Sequence, residues 1–296
     1  MSPAMRVTAA VLAAGVGCVA YGTFVERRWY ALRRVTVPGV LRGGGRLRIL
    51  HVSDVHLVPG QDHRVRFLEE LSGEDHDLVV ATGDLMGAAE AADATVAALA
   101  PLTREGRPGL VVLGSNDLYG PVVKSPLSYF LPPRRRAHGA RLDTQRMIDG
   151  LAAHGYRTLC NEAVTLDTPA GTVVAGGIDD PHLDTTVMPT ADEVAGPSVD
   201  DAVLRLGLVH APYLEALDVL VEAGHDLLMA GHTHGGQVRL PPIGALVGNC
   251  DLPLDQVRGL SRYRDRWLHV SAGLGHSRYA PFRFACRPEA TILDLT

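Results

Sequence analysis

Cysteine is scarce and unpaired in this chain of 296 residues. Of four cysteines, Cys18 lies in an apolar N-terminal stretch, and Cys160, Cys250 and Cys286 stand far apart without a CxxC pair. An odd, scattered set offers no disulfide framework and reads as small buried side chains. It suits a reducing compartment and leaves open the export of a domain without disulfides. Excess positive charge is also missing. A net charge of −5 and a pI near 6.2 argue against a broad nucleic-acid-binding surface and leave room for a local cationic cleft. There is no internal repeat. With 46% hydrophobic and 21% charged residues, disorder is excluded as the default, and the length suits one large domain or two small ones.

One long apolar run is present. Val7 to Val25 carries no charge over about nineteen residues, which at helical rise can just cross a hydrocarbon core of ~30 Å. Residues 1–30 are therefore expected to be a single-pass membrane anchor. A cleaved signal peptide competes, since Arg6 precedes the run and Ala20-Tyr21-Gly22 is a passable cleavage site, and a buried helix is the plain alternative. Arg27, Arg28, Arg33 and Arg34 follow the run while Arg6 precedes it, a bias that favours a cytoplasmic domain. Residues 31–46, with Gly43-Gly44-Gly45, read as a linker, and 47–296 as the folded domain.

Within that domain, short apolar runs at Arg48–Val52, Asp77–Ala81, Gly109–Leu113, Leu206–Val209 and Asp226–Ala230 read as buried strands. Between them Arg64–Leu71, Ala88–Leu99, Arg141–Ala153 and Pro212–Ala223 have helical composition. Shorter runs after Gly171 suggest a second group of strands. The fold class expected is α/β, a two-sheet β-sandwich flanked by helices and preceded by an apolar helix. The proline- and arginine-rich stretch 118–140 reads as a loop or cap, and its Arg134–Arg136 run as a solvated surface or a phosphate clamp.

Polar residues collect at the carboxyl ends of these strands, where loops converge in α/β sheets. They are Asp54 and His56 in SDVH, Asp84 in TGDL, Ser115, Asn116 and Asp117 in GSND, His210 in VHAP, and His232 and His234 in GHTHGGQ. Alone each is a turn residue or a structural histidine. Together, two aspartates, an amide and four histidines offer oxygen and imidazole nitrogen to divalent transition metals, more than a single ion can use. Two ions about 3.5–4 Å apart need one bridging carboxylate and separate outer ligands, which this set supplies. Alternation in D-x-H and H-x-H is expected to put both side chains of each pair on one side of an extended segment. Gly83, Gly114, Gly231, Gly235 and Gly236 would let backbone approach the ions.

The order and spacing of these five motifs resemble the calcineurin-like metallophosphoesterases, which read DxH, GD, GNHD, an isolated His and GHxH. The resemblance spans roughly residues 47–295. GHTHGGQVRLPPIG and GLGHSRYAPFRFACRPEA look closest to bacterial membrane-associated or exported members, some secreted, which argue for export against the charge bias. The resemblance implies that Asp54, His56 and His234 bind one metal, that Asp84 bridges, and that His210 and His232 hold the second. The ions would be manganese, iron or zinc. It implies a metal-dependent phosphoester hydrolase acting on a diester, diphosphate or monoester, with a metal-activated water attacking phosphorus in line. A lipid-linked phosphate is an attractive substrate by the same resemblance, and nucleotide diesters are another.

One departure from the pattern matters. Aligned without a gap, GSND places Ser115 where the family has its metal-binding Asn, and Asn116 where it has the His that protonates the leaving group. Either Asn116 shifts to offer its amide oxygen to the second metal, or Ser115 is the ligand. Asp117 would then orient Asn116 or a water. A missing acid predicts a preference for stable leaving groups, unless His182 or His276 replaces it; Asp179-Asp180-Pro181-His182 is otherwise a turn. The remaining histidines, His51, His63, His76, His138, His154, His225 and His269, read as core, surface or structural. The competing reading is a metal-binding scaffold of the same fold with little turnover.

Overall fold

The computed structural model describes residues 2–121, 139–183, 186–199, 201–276 and 281–296. Most of the expected cap, including Arg134 to Arg136, and also His138, lies outside the described residues. The chain opens with helix α1 (Pro3–Phe24), capped by Ser2, whose hydroxyl accepts the Met5 N–H at 3.3 Å. Twenty-two residues at 1.5 Å each span about 33 Å, and the helix is long and apolar enough to cross a membrane. Its side is exposed along its length except near Gly22, where it meets the domain. A 3-10 turn, Glu26–Arg28, follows.

Residues 31–46 are not all linker. Ala31–Val37 forms strand β1, an edge strand parallel to the C-terminal strand β14 (Glu289–Leu295), with Ala31 opposite Glu289 and Val37 opposite Leu295. The remaining strands of the first sheet are β2 (Leu47–Val52), β3 (Leu78–Thr82), β4 (Gly109–Val112) and β5 (Tyr156–Thr158), in the order β1-β14-β2-β3-β4-β5. The second sheet is built from β6 (Glu162–Thr168), β7 (Gly171–Ile178), β8 (Leu204–Val209), β9 (Leu227–Ala230), β12 (Gly259–Tyr263) and β13 (Arg266–Val270), in the order β12-β13-β9-β8-β7-β6. A small hairpin, β10 (Arg239–Leu240) with β11 (Gly244–Ala245), projects between β9 and β12 in sequence.

The runs are largely apolar because both faces of each central strand are buried, and the period of two sorts their side chains between layers. From β2, Leu47 and Ile49 enter the layer between the sheets, while Leu50 and Val52 face outward. Leu78 and Val80 of β3 repeat this against Val79 and Ala81, and Leu227 and Met229 of β9 against Leu228 and Ala230. Helices α2 (Asp62–Leu71), α3 (Ala92–Leu99) and α5 (Thr144–Ala152) cover the first sheet through Leu68, Leu71, Leu99, Met147 and Leu151. The short α6 (Ala191–Ala195) and α7 (Leu214–Glu222) cover the second through Val194, Leu217 and Leu220. Full burial of each such side chain contributes about 1.5–3 kcal/mol, so this layering is the main source of stability.

Two buried histidine sites are structural, as expected. His51 Nδ1 lies 2.8 Å from His269 Nδ1 and its Nε2 lies 2.9 Å from Thr82 Oγ1, joining the two sheets. His225 donates from Nε2 to the Val194 carbonyl at 3.1 Å, and its Nδ1 has no partner among the described residues. Burial pushes both His225 and His269 down to about 4. A histidine lowered in the fold is protonated first in the unfolded chain. Its contribution is complete above the unfolded value near 6.5 and is lost as pH falls toward 4. Chemical unfolding of metal-stripped protein at pH 7.5 and pH 5 should therefore register a loss of roughly 2 kcal/mol from each histidine. His225→Gln, which keeps a donor for the Val194 carbonyl, should flatten that pH slope; an unchanged slope would remove His225 from the account.

Candidate metal centre

Every expected ligand follows a strand whose apolar run ends at one common edge of the sandwich. Asp54 and His56 follow β2, Asp84 follows β3, and Asn116 is the second residue of the short helix α4 (Ser115–Leu118) after β4. His210 follows β8, and His232 and His234 follow β9. The D-x-H and H-x-H segments are not extended, as the alternation predicted. Asp54, His56, Asp84, His232 and His234 have φ of 47°, 42°, 52°, 68° and 49°, in the left-handed region. That conformation costs about 1–2 kcal/mol per residue for a side chain with a Cβ. It turns the chain sharply at each strand end and aims neighbouring side chains inward, which a pleated strand cannot do at a corner.

The side chains converge. Asp54, His56 and His234 form one group and Asp54, Asp84 and His210 another, with the ligand atoms of each group all within 4.8 Å of one another. His56 Nε2 lies 3.3 Å from His234 Nε2, and His232 Nδ1 lies 3.3 Å from His210 Nε2, so the two imidazole pairs define neighbouring sub-sites. Asp84 Oδ2 lies 3.5 Å from both His56 Nε2 and His210 Nε2, between them. Asn116 also reaches this point: its backbone N–H donates to Asp84 Oδ1 at 2.8 Å, and its side-chain amide lies 2.7 Å from Asp84 Oδ2. Ser115 is held elsewhere, its backbone N–H donating to Asp180 Oδ2 at 2.8 Å.

The cluster is buried and its electrostatics favour a cation. Asp54 and His210 are fully buried. Burial resists a charge on His210, yet Asp84, Asp180 and Asp54 around it push it well above the ordinary histidine value. Burial likewise resists charge on Asp84, and the His210 charge beside it holds its carboxyl well below the usual range. Burial lowers His56 to about 4 and holds His234 well below the ordinary histidine value, with Arg283 adding to the effect at both and Arg64 at His56, so both imidazoles are neutral and able to ligate. His210 Nδ1 donates to the Thr82 carbonyl at 2.6 Å, which turns Nε2 toward Asp84, and a bound cation would take the place of the proton on that nitrogen. Buried oxygen and imidazole donors in two overlapping groups fit a pair of divalent ions.

Two of the motif glycines pack directly against ligand carboxylates. A Cβ on Gly114 would overlap Asp84 Oδ1, and one on Gly231 would overlap Ser53 Oγ and stand 2.6 Å from Asp54 Oδ2. The contacts of Asp117 among the described residues are with backbone. Asp117 is fully buried, and its carboxylate accepts the N–H groups of Leu85 at 2.7 Å, Met86 at 2.9 Å and Gly114 at 3.0 Å. It therefore clamps the Asp84 loop to the start of α4, a job that spacing alone does not reveal. Asp180 does form the expected turn, accepting the His182 N–H at 3.0 Å, and braces Ser115 as well. Of the three cysteines expected to be buried, Cys286 is buried, Cys250 is half-buried and Cys160 is exposed.

The sequence reading missed the arginines, because none lies in a metal motif. Among the described residues, Arg64 and Arg283 are the largest side chains that are fully buried. Arg64 Nη1 donates to the carbonyls of Val55 and His56 at 2.5 and 2.8 Å, fixing the SDVH turn. Arg283 donates to the carbonyls of Ala272 at 2.6 Å and Gly275 at 2.7 Å, and its Nη2 lies 3.3 Å from His234 Nδ1. A cavity of about 220 Å³ opens beside the cluster, walled by His56, Asn116, Gln61, Pro121, His276 and Arg27. His182 sits at the other sub-site, with its ring centroid 4.2 Å from that of His232 and its Nδ1 3.1 Å from Tyr213 Oη.

Comparison with known proteins places this geometry among relatives. The family model described as Calcineurin-like phosphoesterase matches residues 47–236. The chain is 34% identical to Phosphodiesterase YaeI of Escherichia coli over 148 residues, 49% of this chain and 49% of that protein. It is 28% identical to the uncharacterized metallophosphoesterase YkoQ of Bacillus subtilis over 250 residues, 83% of this chain and 82% of that one. Among solved structures, an archaeal phosphodiesterase covers 77% of this chain, and 84% of its own length is matched, at 11% identity and a TM-score of 0.39. A hypothetical protein from Thermus thermophilus matches 79% of each chain at 15% identity and a TM-score of 0.45.

Proposed function

The chain belongs to the calcineurin-like phosphoesterase family, and from that premise we propose that it hydrolyses phosphate esters at a dinuclear metal centre. The observation that carries this reading is the pair of overlapping ligand groups sharing Asp54, with Asp84 Oδ2 midway between His56 and His210. Asp54, His56 and His234 would hold one ion and His210 and His232 the other, with Asp84 offering a carboxylate to both. Asn116 is the amide ligand rather than Ser115, because its side chain already reaches the Asp84 carboxylate while Ser115 is tied to Asp180. A rotation of the amide by 180° exchanges its nitrogen and oxygen without moving the chain. Such ions, when bound, activate a water and neutralise phosphoryl oxygens. The chain's own groups keep the ligands aimed: Thr82 through His210, Asn249 through His232 Nε2, Arg283 through His234.

The substrate has a leaving group that departs without protonation. Asn116 stands where the family has its acid, so aryl esters, activated diesters and diphosphates are favoured over alkyl phosphates by about 10²–10⁴ in rate. The apolar helix α1 supports a membrane anchor, and the exposed tip of the β10–β11 hairpin, with Ile243 at 74% exposure, supports contact with an apolar phase. A lipid-linked phosphate or diphosphate fits that setting, and a nucleotide diester is the alternative. The test is hydrolysis of aryl and alkyl phosphodiesters by the full chain loaded with manganese, before and after chelation. Turnover of the aryl ester that is lost with chelator and restored by metal is the expected result. Turnover indifferent to chelator would refute the metal mechanism, and equal rates on both esters would reveal a proton donor, with His182 the first to test. Tight metal binding without turnover on any ester would favour the scaffold reading that the displaced acid suggests.

A further inference from the structure

The N-terminal helix ends in the wall of the site. Gly22 is buried, its carbonyl accepting the Arg283 N–H at 3.3 Å, and a Cβ there would overlap Phe282. Beyond it, Glu26 is 2% exposed, and its carboxylate accepts the N–H groups of Ala285 at 2.9 Å and Cys286 at 2.5 Å. The segment gripped in this way carries Arg283, which contacts His234. The turn Glu26–Arg28 is therefore registered to the metal cluster through two short links. Arg27 within that turn lines the cavity shared with His56 and Asn116. Its Nη1 lies 3.1 Å from His276 Nε2, and its Nε donates to the Thr23 carbonyl.

We propose that Arg27 binds the phosphoryl oxygens of the substrate and of product phosphate, and that His276 is its positioning residue. This rests on the phosphoester reading above. A guanidinium has five N–H donors in a planar fork, and the contacts with Thr23 and His276 occupy two of them. The rest can meet an oxyanion with the geometry that favours bidentate binding. His276 accepts from Nη1 through Nε2 and so holds the fork in the cavity. Among the described residues that line this cavity, Arg27 is the cation, so phosphate charge not covered by metal is met there. The apolar helix thus ends in a substrate-binding residue, which makes the N-terminal segment a part of the active site as well as a tether.

The test uses the full chain loaded with manganese, titrated with inorganic phosphate by calorimetry and assayed on an aryl phosphodiester. Arg27→Gln should weaken phosphate binding and raise KM by about 10- to 100-fold, with metal content unchanged and kcat less affected. Arg27→Lys should fall between, and His276→Asn, which retains an acceptor for Nη1, should be milder than His276→Ala. If wild type binds phosphate and Arg27→Gln binds it equally well with the same KM, the assignment is overturned. It is also overturned if the metal-loaded wild type binds no phosphate. Failure of the phosphoester reading looks different: phosphate binding that depends on Arg27, with no ester turned over by any form.

Discussion

Asp84→Asn is expected to lower turnover of an aryl phosphodiester by about 10³-fold or more, the rate equivalent of roughly 4 kcal/mol, while leaving the fold intact. The substitution is nearly isosteric, so packing is preserved. What changes is charge and hydrogen-bond direction. Asp84 accepts the Asn116 N–H on one oxygen and faces the Asn116 amide and two imidazole nitrogens with the other. An amide at this position must present an NH₂ group to one of those donors, and it removes the negative charge between the sub-sites. Metal stoichiometry measured alongside the rate should fall below that of the wild type. Activity retained within tenfold, with metal content unchanged, would remove Asp84 from the shared position.

Arg283→Met should be the most damaging substitution away from the ligands. The guanidinium is fully buried and holds the carbonyls of Ala272, Gly273, Gly275 and Cys286 in place. Methionine restores much of the volume and none of the donors, so several carbonyls lose their partners inside the protein. At about 1–3 kcal/mol for each unsatisfied group, partly relieved by relaxation, the expected loss is about 3–5 kcal/mol. For a domain of this size that is on the order of 10 °C in Tm. The same change removes the guanidinium that stands 3.3 Å from His234 Nδ1, so the ring loses its brace and metal content should change along with stability. Thermal melting with and without metal separates the two effects. An unchanged melting temperature in the metal-free protein would show that the carbonyls find other partners and that the packing role is minor.

The central strands were legible because they are buried on both faces. Leu78–Ala81 and Leu227–Ala230 supply apolar side chains to two layers without a break, and Leu47–Val52 does so apart from Arg48 and the buried His51. Strand β1 was misread as linker for the opposite reason. Ala31–Val37 is an edge strand with Arg33 and Arg34 exposed, and its partner β14 lies at the far end of the chain. Pairing across that separation leaves no local signature. The clamping contacts of Asp117 were not legible, since its three N–H partners come from two different loops.

What the sequence by itself determined is the kind of chemistry: carboxylates, an amide and imidazoles at the ends of buried strands, in an order that a metallophosphoesterase requires. Side-chain type and strand-end position are local properties, written in consecutive residues. The tertiary structure alone decided how they converge, through left-handed turns at Asp54, His56, Asp84, His232 and His234. It alone brought in Arg64 and Arg283 as braces and set Arg27, at the foot of an apolar helix, in the wall of the same cavity. Those contacts join residues that are remote along the chain, and only packing of the two sheets and the helix against them brings such groups within reach.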